Sequence, residues 1–391
     1  MDIQYLGIIT LLRNALNNES VPLPEGFVWD GVATLARIHR LTGFVIQGAA
    51  RCGVSRSHPV ITAMTLEFCK QVQYGRAQDR RLQQVLERFE AEGIEYMPIK
   101  GAVIKALYPK SECRTMGDAD VLVHEERLPQ IRQLLLELGL QELEVTSDYE
   151  AAWGDSSLKL ELHTKLVSKE YKRFAQHFGT GWQLAKKQGD SNRYLLSPED
   201  HLVYLVGHFA KHYLQGSICA KDLCDFWIWN RSYPDMDQAY IRRALEALKL
   251  DAFYENISQM VACWFAGQQA TEAVELMTAA AFAGGVCQQE DESALRGIMR
   301  RRADGEESLG KQKVKWFLHA VFPSASFLEY KYPVLKKWPV LLPVYWVRRW
   351  ISILFRDRNK LKRGMMVVKM NEKEQSEYQH HMDTVGLEPD D

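Results

Sequence analysis

Gly117-Asp118-Ala119-Asp120-Val121-Leu122-Val123 sets two carboxylates two residues apart at the head of an apolar run. Side chains of a strand alternate faces, so Asp118 and Asp120 point the same way. Two like charges so close repel unless a cation lies between them. Hard divalent ions are held by a few carboxylates together with substrate phosphates. The pair is therefore a candidate cradle for Mg2+-nucleotide; the plain alternative is that the two aspartates cap a turn. Upstream, residues 94–100 read as a short strand ending at Gly101, and Ala102 to Leu107 as a helix stopping near Pro109. Lys100-Gly101 is then a strand-to-helix turn, where backbone N–H groups and a glycine let phosphate approach. Downstream, residues 157–163 alternate strictly, with Leu158, Leu160 and Leu162 on one face and Lys159, Glu161 and His163 on the other. If this strand pairs beside the first, Glu161 completes an acidic triad.

Together, Lys100-Gly101, Arg114, residues 117–123 and Glu161-Leu162-His163 resemble the polymerase-β-type nucleotidyltransferase superfamily. Within it the chain is most similar to the broad bacterial group called nucleotidyltransferase family proteins. The resemblance extends to a helix over Trp29–Ile46 and to Leu196-Ser197-Pro198-Glu199-Asp200. From there it runs through His208 and His212 to Asp222-Leu223-Cys224-Asp225. It covers roughly residues 5–350, with the diagnostic motifs in 100–163. It implies an α+β fold, a small mixed β-sheet core flanked by N- and C-terminal helical regions. It also implies transfer of an NMP group from an NTP to a hydroxyl acceptor, dependent on Mg2+ (or Mn2+), with two ions about 3.5–4 Å apart. Asp118, Asp120 and Glu161 would hold metal, and Glu161 could also take the acceptor's proton. Lys100, Gly101, Arg114 and Gly117 would serve the triphosphate. Lys211, His212, Lys221 and Asp225 would contribute to the nucleotide or acceptor pocket. One departure stands out: the superfamily usually places Gly-Ser before the carboxylate pair, and this chain has Gly101-Ala102. The lost hydroxyl leaves backbone N–H groups, Lys100 and Arg114 to hold phosphate. It also admits a catalytically silent binding module, although a silent site has no reason to keep three mutually repelling carboxylates.

Composition fits an enzyme with a sizeable core. The 391 residues are 46% hydrophobic, and a net charge of −1 argues against general affinity for nucleic acid. Seven scattered cysteines without a Cys-x-x-Cys pair suggest neither a zinc site nor a disulfide framework. With no signal-peptide pattern at the start, a cytoplasmic location is expected. The chain divides into an N-terminal helical region (1–92), a catalytic core (93–190) and a helical domain (191–310). A basic and aromatic helical segment (311–370) and a disordered acidic tail (371–391) follow. Residues 62–92 suit a long helix, a break near 189–192 opens the helical domain, and Ser197 with Asp200 makes a capping box. His201, His208 and His212 read as histidines of an interhelical contact or the cleft. Between 331 and 369 stand eleven Lys or Arg and one acidic residue. There, positions 344, 347, 351, 354 and 355 form an apolar stripe. That stripe suits a helix docked on its own protein, the preferred reading, or peripheral membrane contact through 338–363.

Overall fold

A computed structural model describes residues 1–143, 149–168, 171–215, 218–283, 314, 317–318, 321–328, 332, 334–356 and 372–388. Four helices come first: α1 (Ile3–Asn17), α2 (Trp29–Ile38), α3 (Thr42–Arg51) and α4 (Pro59–Ala91). Proline at its first turn opens α4, where a missing N–H costs nothing. Gly93 closes it at φ 63°, with Ile94 N–H on Phe89 O and Gly93 N–H on Glu90 O. The single helix expected over Trp29–Ile46 is two. Arg40 turns left-handed at φ 55°, and Leu41 N–H closes on Ala36 O, which ends α2 and buries Leu41. The reversal lets α3 lie against α1, where a Cβ on Gly48 would stand 2.0 Å from the Leu11 carbonyl oxygen.

The core follows as β1 (Tyr96–Pro98), the single turn α5 (Gly101–Ile104), β2 (Ala119–Val123), α6 (Leu128–Glu137), β3 (Gln141–Glu142), β4 (Glu150–Gly154) and β5 (Lys159–His163). These strands form one mixed sheet in the order β1-β2-β5-β4-β3, in which only β2 and β5 run parallel. Pro98 is tolerated because β1 is the edge strand and needs no second ladder there. Alternation splits the interior in two. Ala119, Val121, Val123, Leu158, Leu160 and Leu162 bury against α4 and α6, with Val85, Phe89, Ile131 and Leu135. The opposite face carries Asp118, Asp120, Glu161 and His163 toward the helical domain.

After α7 (Lys172–Phe178) the chain makes a hairpin, β6 (Ala185–Lys187) and β7 (Tyr194–Leu196). The break near 189–192 is thus a hairpin tip, not the opening of a helix. The helical domain is α8 (Pro198–Gln215), α9 (Ala220–Ser232), α10 (Gln238–Ala247), α11 (Asp251–Ala266) and α12 (Glu272–Ala283). Ser197 Oγ caps α8, accepting the Asp200 N–H at 3.1 Å. The part of this domain expected over 284–310 lies outside the described residues.

Two C-terminal expectations are corrected. The stripe of α13 (Leu342–Arg356) is not docked: Val344, Val347 and Ile351 are exposed. The helix is held by its other side, where the Trp346 and Trp350 indoles donate to Pro323 O and Val321 O at 2.8 Å and flank Phe322. The side chains of 354 and 355, and residues 357–363, lie outside the description. The tail expected to be disordered forms α14 (Glu372–Val385), burying Met382, Val385 and Leu387 against α11 and α12. Its polar composition hid a few apolar anchors, and Asn256 fixes its end through Val385 O at 3.0 Å.

Candidate functional site

Parallel pairing sets Asp120 directly beside Glu161, and Leu122 beside His163. With strand neighbours on one face only about 5 Å apart, two carboxylates and an imidazole converge. Ligand atoms of Asp120, Glu161 and His163 lie within 4.8 Å of one another. His163 Nε2 is 2.8 Å from Asp120 Oδ1, and its Nδ1, with no hydrogen-bond partner, faces Glu150 at 3.6 Å. Asp118 stands just ahead of β2, nearer solvent, 3.5 Å from Lys159 Nζ; the same lysine ion-pairs Glu161. Burial, with Asp118 adding to it, pushes the Glu161 carboxyl above its ordinary pKa. Burial acts the same way on Asp120, but the Lys100 charge and the His163 hydrogen bond outweigh it and hold that carboxyl well below the carboxylate range.

Lys100 earns its place through an unusual backbone. It occupies the turn between β1 and α5 at φ 50°, ψ −126°, a region that L-residues avoid. From there Nζ reaches Asp120 Oδ1 at 2.7 Å. The amides expected to cradle phosphate are largely taken: Ala102 N–H bonds Ile99 O, and Val103 and Ile104 N–H bond Lys100 O. Gly101 is small for another reason, since a Cβ there would meet Arg114 Nη1 at 3.2 Å.

Between this sheet face and helices α8 and α9 lies a cleft of about 410 Å3, within the range of small-molecule sites. Lys100, Gly101, Arg114, Gly117, Asp118, Asp120, Glu161, Lys211, His212, Lys221 and Asp225 all line it. The sheet contributes Asp118, Asp120, Glu150 and Glu161; α8 and α9 contribute Lys211, His212 and Lys221 together with Asp222 and Asp225. Burial, reinforced by Lys211 and Lys100, drops the His212 pKa to about 3, and burial also carries His208 far below its ordinary value. Both imidazoles are neutral at pH 7.

Arg114 and Asp225 meet each other. Arg114 Nε and Nη2 donate to the two Asp225 oxygens at 2.9 and 2.7 Å, and Nη1 to Thr115 O at 2.9 Å. The Tyr108 hydroxyl adds a third bond to Asp225 at 2.7 Å. Burial would raise the Asp225 carboxyl, but Arg114 beside it brings the pKa below normal. This buried fork joins the loop before β2 to α9, so Arg114 is less a free phosphate ligand than a strut in the cleft wall. His201 also falls outside the site: it is buried, stacked on Trp229 at 4.3 Å.

His208 and Asp222, quoted from sequence, line the cleft as well, His163 lines the pocket beside it, and Glu150, which was not singled out from sequence, lines both. His163 shares the Glu161 face of an alternating strand, and that signal was sufficient. Glu150 sits on β4 opposite His163, a strand whose composition gave no hint.

No curated protein and no solved structure matches the chain. The profile of a family described as uncharacterised nucleotidyltransferases matches residues 25–266, spanning the last N-terminal helices, the sheet, the cleft and α8 to α11. The chain therefore belongs to that nucleotidyltransferase family.

Proposed function

We propose that the cleft transfers an NMP group from an NTP to a hydroxyl acceptor with the help of Mg2+ or Mn2+. The observation that carries this reading is the Asp120–Glu161 register across parallel strands, with Lys100 and Asp118 beside it. The residues fit a divalent cation. Six carboxylates (Asp118, Asp120, Glu150, Glu161, Asp222, Asp225) line the cleft against four cations (Lys100, Arg114, Lys211, Lys221), leaving it short of positive charge. Asp118, Asp120 and Glu161 would hold the ion, and His163 is a further donor. Bound there, it would supply Lewis-acid activation of the α-phosphate and charge neutralisation.

The chain's own groups do the rest. Lys211 and Lys221, on the wall facing the carboxylates, balance the triphosphate and the departing pyrophosphate. The acceptor oxygen bonds to the α-phosphorus while the bond to the pyrophosphate oxygen breaks. Glu161, at the edge of the ion site, takes the acceptor's proton. Arg114 and Asp225 hold the two walls in register. Calorimetry with NTP, with and without Mg2+, tests the reading on wild type and on Asp118→Ala/Asp120→Ala. Binding that needs Mg2+ and disappears in the variant supports it; binding that is absent, or unchanged in the variant, sinks it.

A second reading has one observation behind it. Lys100 and Lys159 already pair with Asp118, Asp120 and Glu161, which would let a silent module bind nucleotide without metal. Metal-independent NTP binding without pyrophosphate release would favour it.

A further inference from the structure

We infer that α13 is an interfacial helix that lays its Val344/Val347/Ile351 face on an anionic lipid surface. The proposal is independent of the catalytic reading. Side chains spaced i, i+3 and i+7 share one helix face, and here they are 63%, 49% and 52% exposed. Just before the helix, Val340 at 78% and Trp338 at 56% are exposed as well. A scattered exposed valine is ordinary, but a contiguous apolar strip flanked by charge marks an interaction site.

The strip does not result from a loose helix. Trp346 and Trp350 anchor the other side to the 321–323 segment, and Arg348 lies over the Tyr332 ring at 5.4 Å. The apolar face is presented outward by a helix already fixed.

Charge selects the occupant. The chain carries a net −1, yet residues 331–369 hold eleven basic residues and one acidic; among the described ones Lys336, Lys337 and Arg348 are exposed. A second copy docking through this face would, by two-fold symmetry, set basic patch against basic patch. Nucleic acid would meet the charge but leave the strip in water. An anionic bilayer satisfies both, taking valines, isoleucine and tryptophan at the acyl boundary and cations at the headgroups. Fifteen residues give a helix of about 22 Å, too short for a ~30 Å hydrocarbon core. Nor is any described helix long and apolar enough to cross a membrane. The helix lies on the surface. Because α14 returns to pack on α11 and α12, the chain is anchored to the body on both sides of the helix.

The test is flotation of the full chain with phosphatidylcholine vesicles, with and without phosphatidylglycerol. Wild type should float only with the anionic vesicles, and less as salt is raised. The bound fraction should fall about tenfold in Val344→Ser/Val347→Ser/Ile351→Ser, which removes the apolar insertion. Lys336→Glu/Lys337→Glu, which leaves the strip intact, should weaken binding to anionic vesicles alone. All five positions are exposed, so an unchanged melting curve checks that each variant is folded. Failure to float with either vesicle overturns the proposal, as does flotation that the serine variant retains. Self-association that the serine variant abolishes, without lipid binding, overturns it in favour of a second copy.

Discussion

Lys100 offers a measurement that separates backbone strain from charge at one residue. Its φ 50°, ψ −126° costs an L-residue about 1–3 kcal/mol, whereas glycine adopts it freely. Its ammonium also compensates a carboxylate only 6% exposed. Lys100→Ala removes the charge and keeps the strain; Lys100→Gly removes both. In each, Asp120 is left with His163 alone, so the loss of the buried ion pair, about 3–5 kcal/mol, is common to the two and cancels between them. What remains is strain relief less the greater unfolded-state freedom of glycine, about 0.5–1 kcal/mol. The glycine variant should be the more stable by roughly 1 kcal/mol, with a ceiling near ~2.5. Urea midpoints followed by tryptophan fluorescence, at equal m-values, measure the difference. An alanine variant more stable than the glycine one would refute the strain. On the proposed function, Mg2+ should also raise the midpoint of either variant more than that of wild type, because Asp120 lacks its internal cation there.

Three further outcomes are expected. Asp225→Leu strands the Arg114 charge and the Tyr108 hydroxyl, at a cost of about 3–5 kcal/mol, while Arg114→Met/Asp225→Leu should recover the share owed to the unpaired guanidinium; a urea double-mutant cycle over these two substitutions showing simple additivity would contradict the pairing. His201 is held neutral, its pKa lowered to about 3 by burial, only partly opposed by Asp225. A histidine depressed in the fold contributes stability that is complete above its unfolded value and is lost as pH falls toward the folded one. Stability should thus decline between about pH 6.5 and 3 by up to ~1.4 kcal/mol per unit from this residue, and His201→Phe should flatten that slope in pH-dependent melts. Gly48→Ala drives a methyl into the Leu11 carbonyl and should destabilise by at least about 1–3 kcal/mol, read as a lower urea midpoint with nucleotide binding intact in the folded fraction.

How far the sequence could be read depended on whether the deciding contact was local. β2 and β5 were legible because each has one wholly apolar face, and Glu161 was legible because it falls on the other. That the two strands are neighbours is a long-range fact, yet alternation made the pairing a sharp condition, and the register meets it. β4 escaped because Glu-Ala-Ala-Trp-Gly is poor in β-formers; it is a strand by virtue of the ladder it completes. α14 escaped for a related reason: Met382, Val385 and Leu387 are too sparse to mark a helix face, and they matter only because α11 and α12 present a surface to them. Arg114 and Asp225 were each picked as cleft residues, but nothing in either neighbourhood says that residues 111 apart in sequence satisfy one another.

That pairing changes how the missing Gly-Ser hydroxyl should be understood. In place of a serine and free amides to grip the triphosphate, Ala102 offers no hydroxyl and the amides of 102–104 are bonded to Ile99 O and Lys100 O. Lys100 itself is engaged by Asp120. On the proposed function, then, the anion-holding side of the cleft moves across to Lys211 and Lys221, on α8 and α9. Those residues face the carboxylates only while the helical domain is seated on the sheet, and the buried Arg114–Asp225 fork is one of the links that seat α9 there. A substitution that loosens the fork without touching the carboxylates should therefore weaken nucleotide binding and leave metal binding at Asp120 and Glu161 largely intact. Asp225→Glu, which keeps the charge but lengthens the side chain, is the variant in which calorimetry can separate the two.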